Sequence, residues 1–292
     1  MAQAWQEIAP KSVLFVSPHP DDICIGMGGL AAFLAERAES STMLLVTDGS
    51  EGRMAKQTLV RHEWTEAWTA PQSARLRGEI RVAEARREAE ALGIDRVETL
   101  TQQTWHTEAA TPAEAMDAHG GLIDVAGFRP GAVTDAARAA VAAQIEELPA
   151  AAVVCLPAPN DRQAIHRITT WMVLDALAGS NKPLTLAFYE PLSSLGWETL
   201  PAGLARADFA FGADLADRKA TAIAAHRSQL ERRAAFGSYT SADNRDYRQI
   251  ARDRDQAYAK RAGVSAPFTE PCVMAPASSA VSALLPVAAP AC

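Results

Sequence analysis

Two polar clusters in the sequence contain the residue types that bind metal ions. One is His-Pro-Asp-Asp at 19–22 and the other occupies 157–166, and each directly follows an apolar run. A histidine and an aspartate three positions apart on a tight turn, here His19 and Asp22, can converge on one ion. With His166 from the second cluster they form a set of two histidines and one carboxylate, which leaves a position open for water as catalytic zinc sites do.

A further carboxylate lies between the two candidate ligands of the first cluster. Asp21 is placed to take a proton from a water at the open position of the ion. The same ligand set accepts iron(II), so the sequence predicts Zn²⁺ and leaves Fe²⁺ as an alternative. A role without a metal also stays open, because His19 and Asp22 could cap the helix that follows. The position of both clusters after neighbouring strands favours the metal site.

The elements that must hold these clusters alternate along the chain. Strands are predicted over 12–17, 41–47, 97–100, 151–157 and 184–190, and helices over 23–37, 76–93, 135–148 and 165–178. Short strands that are apolar nearly throughout, separated by helices, are typical of a parallel sheet covered on both faces. We therefore predict an α/β fold. Ligands bind such sheets at the carboxyl ends of the strands, where both polar clusters lie.

The domain boundaries follow from changes in composition. We expect one domain over 1–274 that ends in a helical extension. Residues 101–133 have no clear period, and a connection this long in a compact domain is usually functional, so we expect a lid there. Residues 275–292 are mostly Ala, Ser, Pro and Val and carry no charge, which predicts a flexible tail.

The helical extension begins after the last predicted strand of the alternating part. One more strand is expected over 207–212, followed by a single long helix over 214–236 with Asp214 as its N-cap. A charged segment at 245–255 is expected to be a solvated helix with ion pairs four residues apart.

Composition limits the function classes that fit the chain. Among its 292 residues, Lys and Arg number 28 against 35 Asp and Glu, giving a formal net charge of −7. This balance argues against nucleic acid as a partner, because nucleic-acid binding needs a basic face. No apolar window approaches the ~20 residues of a membrane span, and the first residues lack a secretion signal. We expect a cytoplasmic protein, and a homo-oligomer is also compatible with the sequence.

Five sequence motifs together resemble one known family. Ser-x-His-Pro-Asp-Asp at 17–22 resembles the [AS]-x-H-P-D-D signature of the PIG-L/LmbE-like family of zinc-dependent N-deacetylases. Leu-Val-Thr-Asp-Gly at 45–49 is similar to the second-strand motif of that family, and 81–93 is similar to its R-x-x-E…A-x-x-L-G helix. Residues 161–166 fall where the family has D-x-H-P-D-H, and 226–229 match its H-x-S-Q.

The resemblance implies a fold, an activity and a set of site residues. The fold would be Rossmann-like, and the activity would be hydrolysis of an N-acyl amine, usually the acetyl group of an N-acetylglucosamine conjugate. The small-molecule partner would thus be an amino-sugar conjugate. By position, Asp21 would be the general base. The zinc ligands carried over are His19, Asp22 and His166, and the residues carried over near the substrate are Arg81, Asp161 and His226.

The chain departs from the family pattern beside the last ligand. Where the family has H-P-D-H, this chain has Gln163-Ala-Ile165-His166. Gln163 can donate a hydrogen bond to an oxyanion but cannot act as an acid, and losing one such donor costs ~10²–10³ in rate. Ile165 replaces a carboxylate that could support the ligand, a loss typically of ~10–100-fold in metal affinity or activity.

Two other functions stay open because of this departure. The chain could be a degenerate family member that binds a sugar-containing ligand or a protein partner without turnover. It could also keep the metal and hydrolyse the amide of a thiol conjugate. The retained base, Asp21, and the complete ligand set favour a zinc-dependent N-deacetylase, an amidohydrolase in which Gln163 orients the substrate or the oxyanion.

Overall fold

The computed structural model describes residues 3–50, 71–100, 135–161, 163–192, 194, 200–230 and 247–285. The lid expected over 101–133 lies outside these residues and stays a prediction. Among the described residues, no helix is both long enough and apolar enough to cross a membrane.

Helices and strands alternate over the first two thirds of the chain, as the apolar pattern predicts. The helices are α1 (Gln3–Gln6), α2 (Asp22–Ala35), α3 (Pro71–Leu92), α4 (Asp135–Glu147), α5 (Ala164–Ala178), α6 (Ala213–Ala225), α7 (Arg227–Leu230), α8 (Tyr247–Ala262) and α9 (Ala277–Leu284). The strands are β1 (Ser12–Ser17), β2 (Ser40–Leu45), β3 (Arg96–Thr99), β4 (Val153–Pro157), β5 (Thr185–Tyr189), β6 (Ala205–Arg206), β7 (Phe209–Phe211), β8 (Phe268–Glu270) and β9 (Cys272–Pro276).

Seven of the described strands form one sheet in the order β3-β2-β1-β4-β5-β9-β6. Strands β1 to β5 are parallel, whereas β9 pairs antiparallel with β5 and β6 pairs antiparallel with β9. Strands β7 and β8 form a separate antiparallel pair. The predicted α/β fold with a mainly parallel sheet is therefore confirmed, and the antiparallel strands at one edge come from the C-terminal extension.

Helices cover both faces of the sheet, as the nearly continuous apolar strands predict. Along β1 the side chains alternate: Val13 and Phe15 join one apolar core, whereas Leu14 and Val16 join the other. Helices α2, α3 and α6 supply buried residues to the first core, and α4, α5 and α9 supply them to the second. Strands β1, β2, β4 and β5 are therefore packed from both sides, which fixes the position of their carboxyl ends.

The strand order reverses at β1. The chain passes from β1 through α2 to β2 on one side, whereas β4 lies on the other side of β1. Val13 pairs with both neighbours, with Ser41 of β2 and with Val153 of β4. Open α/β sheets bind ligands at such a reversal, outside the carboxyl ends of the strands. The two polar clusters follow β1 and β4, so the topology brings them to the same place.

Helix α2 is interrupted at Met27, whose φ of −147° and ψ of 27° are not helical. An interruption leaves backbone groups without helical partners. Here the N–H groups of Gly29 and Leu30 donate to the two carboxylate oxygens of Glu270, at 2.9 and 2.8 Å. The part of α2 after the interruption is thus capped by β8, and the short first part carries the first polar cluster.

The long helix expected over 214–236 is shorter than predicted. It ends at His226, where φ is −84° and ψ is 56°, and the chain continues as the separate turn α7. The N-cap of α6 is Gly212, so the prediction of Asp214 at that position is wrong, and Asp214 lies in the first turn. The helix ends because His226 and Ser228 make buried hydrogen bonds to α3, which a continuous helix would not allow.

Two further predictions for the C-terminal region differ from the structure. The tail expected over 275–292 begins as the end of β9 and continues as α9. Ala280 is fully buried there, because small side chains let α9 pack closely on the second core. The helix expected to be solvated over 245–255 instead buries Asp255, which pairs with Lys219 at 2.6 Å.

Candidate metal and catalytic site

Three candidate ligand atoms meet between the ends of β1 and β4. Nδ1 of His19 lies 3.0 Å from Oδ2 of Asp22, and Nε2 of His166 lies 3.2 Å from that same oxygen. The two histidine nitrogens are 3.2 Å apart. The structure therefore brings the predicted ligand set together, and 25% of the His19 side chain is accessible, so the group is open on one side.

The geometry of these atoms suits a small divalent cation. A tetrahedral zinc ion with bonds of ~2.0–2.1 Å separates its ligand atoms by about 3.3 Å, close to the three separations found here. Two imidazole nitrogens and a carboxylate oxygen are also donor types that zinc and iron(II) bind. Among the described residues, Asp22 pairs with the two histidines and with no lysine or arginine. The residues present therefore fit a metal ion.

His166 is fully buried, and its second ring nitrogen is also paired. Nδ1 lies 3.1 Å from Oδ2 of Asp161, which is fully buried as well. Burial acts to lower the pKa of His166, but the charges and hydrogen bonds of Asp22 and Asp161 outweigh it and raise the pKa to about 10. The surroundings thus favour a positive charge on this ring. Histidines that bind metals commonly donate their other N–H to a carboxylate in this way.

Asp161 takes a different place from the one that the resemblance implies. It is carried over as a residue near the substrate, whereas the structure pairs one of its oxygens with His166. Its other oxygen, Oδ1, accepts the backbone N–H of Gln163 at 2.7 Å. Ile165, which replaces the expected carboxylate, packs in the second apolar core. A carboxylate therefore faces the second ring nitrogen of His166 although position 165 is apolar.

Gln163 lies at the N-cap of α5 with an exposed side chain. Its backbone is extended, with φ −82° and ψ 123°, and its side chain makes no capping hydrogen bond. Its carbonyl accepts the N–H of His166 at 3.2 Å. The amide group is thus not used to cap the helix, and it lies on the turn that carries the candidate ligand.

Asp21, the candidate base, is paired with a buried arginine. Nη2 of Arg81 donates to Oδ1 of Asp21 at 2.9 Å, and Nη1 donates to the carbonyl of Gly49 at 3.2 Å. Only 4% of the Arg81 side chain is accessible. Gly49 has φ +68°, and a Cβ there would lie 2.4 Å from Nη1 of Arg81. The resemblance carries Arg81 over as a residue near the substrate, but its guanidinium contacts the candidate base.

His226 lies in a buried cluster that joins α3 to the start of α2. Its Nε2 lies 2.5 Å from Oε2 of Glu88, whose Oε1 accepts the backbone N–H of Cys24 at 2.8 Å. One turn earlier on α3, Glu84 accepts hydrogen bonds from the N–H and the hydroxyl of Ser228. His226 is 2% exposed. Among the described residues, its side chain lies against the carboxylates of Glu84 and Glu88. The structure thus surrounds His226 with protein groups.

The sequence also matches a family model. Residues 14–177 match the PIG-L family, described as GlcNAc-PI de-N-acetylase, and this match covers just over half of the 292 residues. The chain belongs to the PIG-L family. The motifs that indicate this membership from the sequence are therefore correctly interpreted, and the fold found here is the α/β fold that they imply.

The individual relatives of this PIG-L chain either match a short part of it or have low sequence identity to it. A diacetylchitobiose deacetylase from Thermococcus kodakarensis is 34% identical over 90 residues, which are 31% of this chain and 28% of that relative. The solved N,N'-diacetylchitobiose deacetylase from Pyrococcus horikoshii is 20% identical, with a TM-score of 0.57 over 92% of this chain and 85% of that one. A 4-carboxy-2-hydroxymuconate hydratase from Pseudomonas putida is 17% identical, with a TM-score of 0.55 over 90% and 95%. At these identities the two solved structures share the fold alone.

The PIG-L chain contains a second group of metal-binding residue types. Candidate atoms of Cys24, Glu88 and His226 lie within 4.8 Å of one another. Both oxygens of Glu88, however, already accept hydrogen bonds from the other two residues. Burial, followed by the charge of Glu88, raises the pKa of the Cys24 thiol well above its usual value, so the thiol stays protonated. The contacts of Glu88 therefore make this group a buried hydrogen-bonded network.

The contacts made by α3 are missed when the motifs are considered one at a time. Arg77, Arg81, Glu84 and Glu88 are each at most 5% exposed. Their spacings of four, three and four residues place them on one face of the helix. Charged residues that repeat at this spacing could therefore have indicated from the sequence that α3 makes buried polar contacts. No comparable signal marks Asp161 as the partner of the ligand, because that contact depends on how the chain turns after β4.

Proposed function

We propose that this protein is a metal-dependent deacetylase that hydrolyses the N-acetyl group of an N-acetylglucosamine-type conjugate. The observation that carries the proposal is the convergence of His19, Asp22 and His166 next to the paired carboxylate of Asp21. Membership of the PIG-L family supports an amide hydrolase. The partial match to a diacetylchitobiose deacetylase supports an amino-sugar substrate.

His19, Asp22 and His166 would hold the ion, which is zinc in this proposal, with iron(II) as the alternative. When bound, the ion supplies Lewis-acid activation of a water and of the amide carbonyl. Asp161 accepts the N–H of His166 at Nδ1, 3.1 Å away, so Nε2 is the nitrogen that would bind the ion in place of its own proton.

Asp21 is the general base of the proposed reaction. Arg81 holds Oδ1 at 2.9 Å, and no partner of Oδ2 occurs among the described residues. Oδ2 is therefore the oxygen that takes a proton from the attacking water. As the C–N bond breaks, the same proton passes to the nitrogen of the leaving amine, which regenerates the carboxylate and releases acetate.

Gln163 is proposed to stabilise the oxyanion that develops on the carbonyl oxygen. Its side chain is exposed on the turn before His166 and is not engaged in capping α5. A single well-placed donor of this kind contributes ~10²–10³ in rate. An amide cannot transfer a proton, however, so in this chain the proton transfers fall to Asp21.

The test measures metal content and acetate release on the full chain, purified without chelators and loaded with zinc. Asp21→Asn should keep the metal of the wild type and lose turnover, because the amide cannot accept the proton. His166→Ala should lose both. Asp214→Asn, on the exposed first turn of α6, is the control and should match the wild type. Substrates are N-acetylated sugar conjugates, diacetylchitobiose among them. Wild-type protein that binds metal but releases no acetate from any of them contradicts the proposal.

A second candidate function is binding of a sugar-containing ligand or a protein partner without turnover. The replacement of the family's histidine by Gln163 favours it. A third candidate keeps the metal and cleaves the amide of a thiol conjugate. Two added measurements on the same zinc-loaded protein separate them. Sugar binding without acetate release supports the second, and amine release from a thiol conjugate alone supports the third.

A further inference from the structure

The cap of α2 comes from another helix. An aspartate at an N-cap normally accepts a hydrogen bond from the N–H of the second or third residue of its helix. Asp21 occupies the N-cap of α2 and makes no such bond, and its carboxylate pairs with Arg81 instead. The N–H of Cys24, the third residue of α2, donates to Oε1 of Glu88 at 2.8 Å. Glu88 on α3 thus occupies the role that Asp21 would ordinarily take.

Glu88 is fixed in this position by His226. The second oxygen of Glu88 lies 2.5 Å from Nε2 of His226, and both side chains are at most 2% exposed. His226 in turn is fixed by its place at the end of α6, where its own N–H donates to the carbonyl of Ile223 at 3.1 Å. The end of α6 therefore holds the carboxylate that caps α2.

We propose that Glu88, held by His226, caps α2 in place of Asp21 and so leaves the Asp21 carboxylate for catalysis. This role rests on the proposed function, in which Asp21 is the base. Without Glu88, the N–H of Cys24 would lack an acceptor, and the Asp21 carboxylate would turn to it as an N-cap aspartate does. It would then leave Arg81 and the attacking water.

Glu88 and His226 are therefore positioning residues. This role differs from direct contact of His226 with the substrate, and kinetics distinguish the two. A residue that only binds substrate changes KM when it is removed, with kcat unchanged. A residue that keeps the base in place changes kcat, with KM and metal content nearly unchanged. The two roles thus predict opposite patterns for the same variants.

The kinetic experiment compares full-length, zinc-loaded variants. Glu88→Met combined with His226→Leu replaces the buried pair by apolar side chains of similar size, a change that commonly preserves folding. Glu88→Gln keeps an oxygen that can accept from Cys24 and is the conservative variant. Glu84→Gln is the matched control, because Glu84 lies one turn away on the same buried face of α3 and binds Ser228 rather than α2.

We expect kcat of the double variant to fall about tenfold to a hundredfold, as it does when a reacting group is displaced. Its KM and metal content should change little. Glu88→Gln should recover most of the loss, and Glu84→Gln should match the wild type. A raised KM at constant kcat would show that His226 contacts the substrate and would overturn the proposal. An unchanged kcat in a folded double variant would also overturn it.

Amide hydrogen exchange tests the cap without reference to turnover. In an Asp21→Ala background, the Cys24 N–H should stay as protected as in the wild type, because Glu88 accepts it. Adding the Glu88→Met and His226→Leu changes should speed its exchange, and adding Glu84→Gln should not. Lost protection in Asp21→Ala alone would make Asp21 the cap and contradict the proposal. If the wild type showed no turnover, the proposed function would fail, while the exchange rates would still decide which side chain caps α2.

Discussion

The candidate metal ligand His166 is supported by Asp161, which lies before α5 rather than on it. We expect Asp161→Asn to lower metal affinity by about tenfold to a hundredfold, because an amide oxygen cannot match the charge-assisted bond that a carboxylate accepts from Nδ1. The variant should stay folded, since Asn has nearly the same shape and still accepts the N–H of Gln163. Competition with a chelator of known zinc affinity measures the change.

Ile165→Val is the matched control for this prediction. Ile165 lies beside His166 in the sequence but packs in the apolar core, so its shortening should leave the metal affinity unchanged. If Asp161→Asn bound zinc as tightly as the wild type and Ile165→Val, the carboxylate behind His166 would have no part in metal binding.

The candidate ligands were predictable from the sequence because their signals are local. His19 and Asp22 are three positions apart on one turn, and His166 follows a parallel strand, so all three were expected at the same edge of the sheet. That β4 lies directly beside β1 is a finding of the structure. The partners of these residues were not predictable in the same way. The contacts of Asp161 and Arg81 depend on the turn after β4 and on the packing of α3, and a substrate role at both positions was the simpler expectation.

At the scale of the elements, the hydrophobic pattern predicts where strands and helices occur better than it predicts where a helix ends. The parallel strands β1, β2, β4 and β5 were predicted because their alternate residues face two apolar cores, which makes them apolar nearly throughout. The end of α6 at His226 was not, because residues 214–236 carry a helical pattern, whereas the buried bonds to Glu84 and Glu88 at that end come from residues far away in the sequence. The expected tail differs from the structure over 275–284 for a related reason, since small uncharged residues also suit close packing, whereas 286–292 lie outside the described residues.

The loop after β2 gives a prediction at this scale. Gly49 has φ +68°, and a Cβ there would lie 2.4 Å from Nη1 of Arg81. We expect Gly49→Ala to cost about 1–2 kcal/mol through left-handed backbone strain. It should also lower kcat, because the displaced guanidinium no longer holds Asp21. Urea unfolding and steady-state kinetics on the zinc-loaded protein measure the two effects.

Gly263→Ala separates strain from displacement. Gly263 has φ +64° and nothing within 4 Å of an added Cβ. Its substitution should therefore cost similar backbone strain and leave kcat unchanged. A loss of activity in both variants would mean that lower stability, rather than the position of Arg81, causes the effect at Gly49.

At the scale of the whole molecule, the C-terminal extension is part of the support of the site. Nζ of Lys219 on α6 lies 2.6 Å from Oδ2 of Asp255 on α8 and 2.6 Å from Oε1 of Glu270 on β8. Glu270 also accepts the N–H groups after the interruption of α2. One buried charge group thus joins three elements of the extension to the helix that follows the first polar cluster. The site between β1 and β4 consequently depends on residues far beyond 177, where the family match ends.

Lys219→Met should therefore destabilise the whole fold. All three side chains are at most 4% exposed. Asp255 keeps Arg254 at 3.1 Å, but Glu270 loses the cation that faces it, and removing one partner of a buried ion pair typically costs ~3–5 kcal/mol. Arg75→Met is the control: Arg75 pairs with Glu79 at 2.9 Å, but 80% and 56% of their side chains are accessible, so the cost should be within ~1 kcal/mol. Urea unfolding at neutral pH measures both, and equal losses would contradict the importance of the buried group.

The pH dependence of the Lys219→Met variant provides a sharper test of the same charge group. Burial raises the pKa of Glu270 above its ordinary 4.5, and Lys219 opposes that rise. Without Lys219 the pKa of Glu270 should rise further, so the folded state binds a proton more tightly than the unfolded state does. Stability then increases as the pH falls through the raised pKa toward 4.5, because the buried carboxyl becomes neutral.

The deficit in stability of the Lys219→Met variant relative to the wild type should thus shrink when unfolding is measured at mildly acidic rather than neutral pH. A deficit that stays constant or grows would mean that lost packing of the Lys219 stem, rather than uncompensated charge, destabilises the variant.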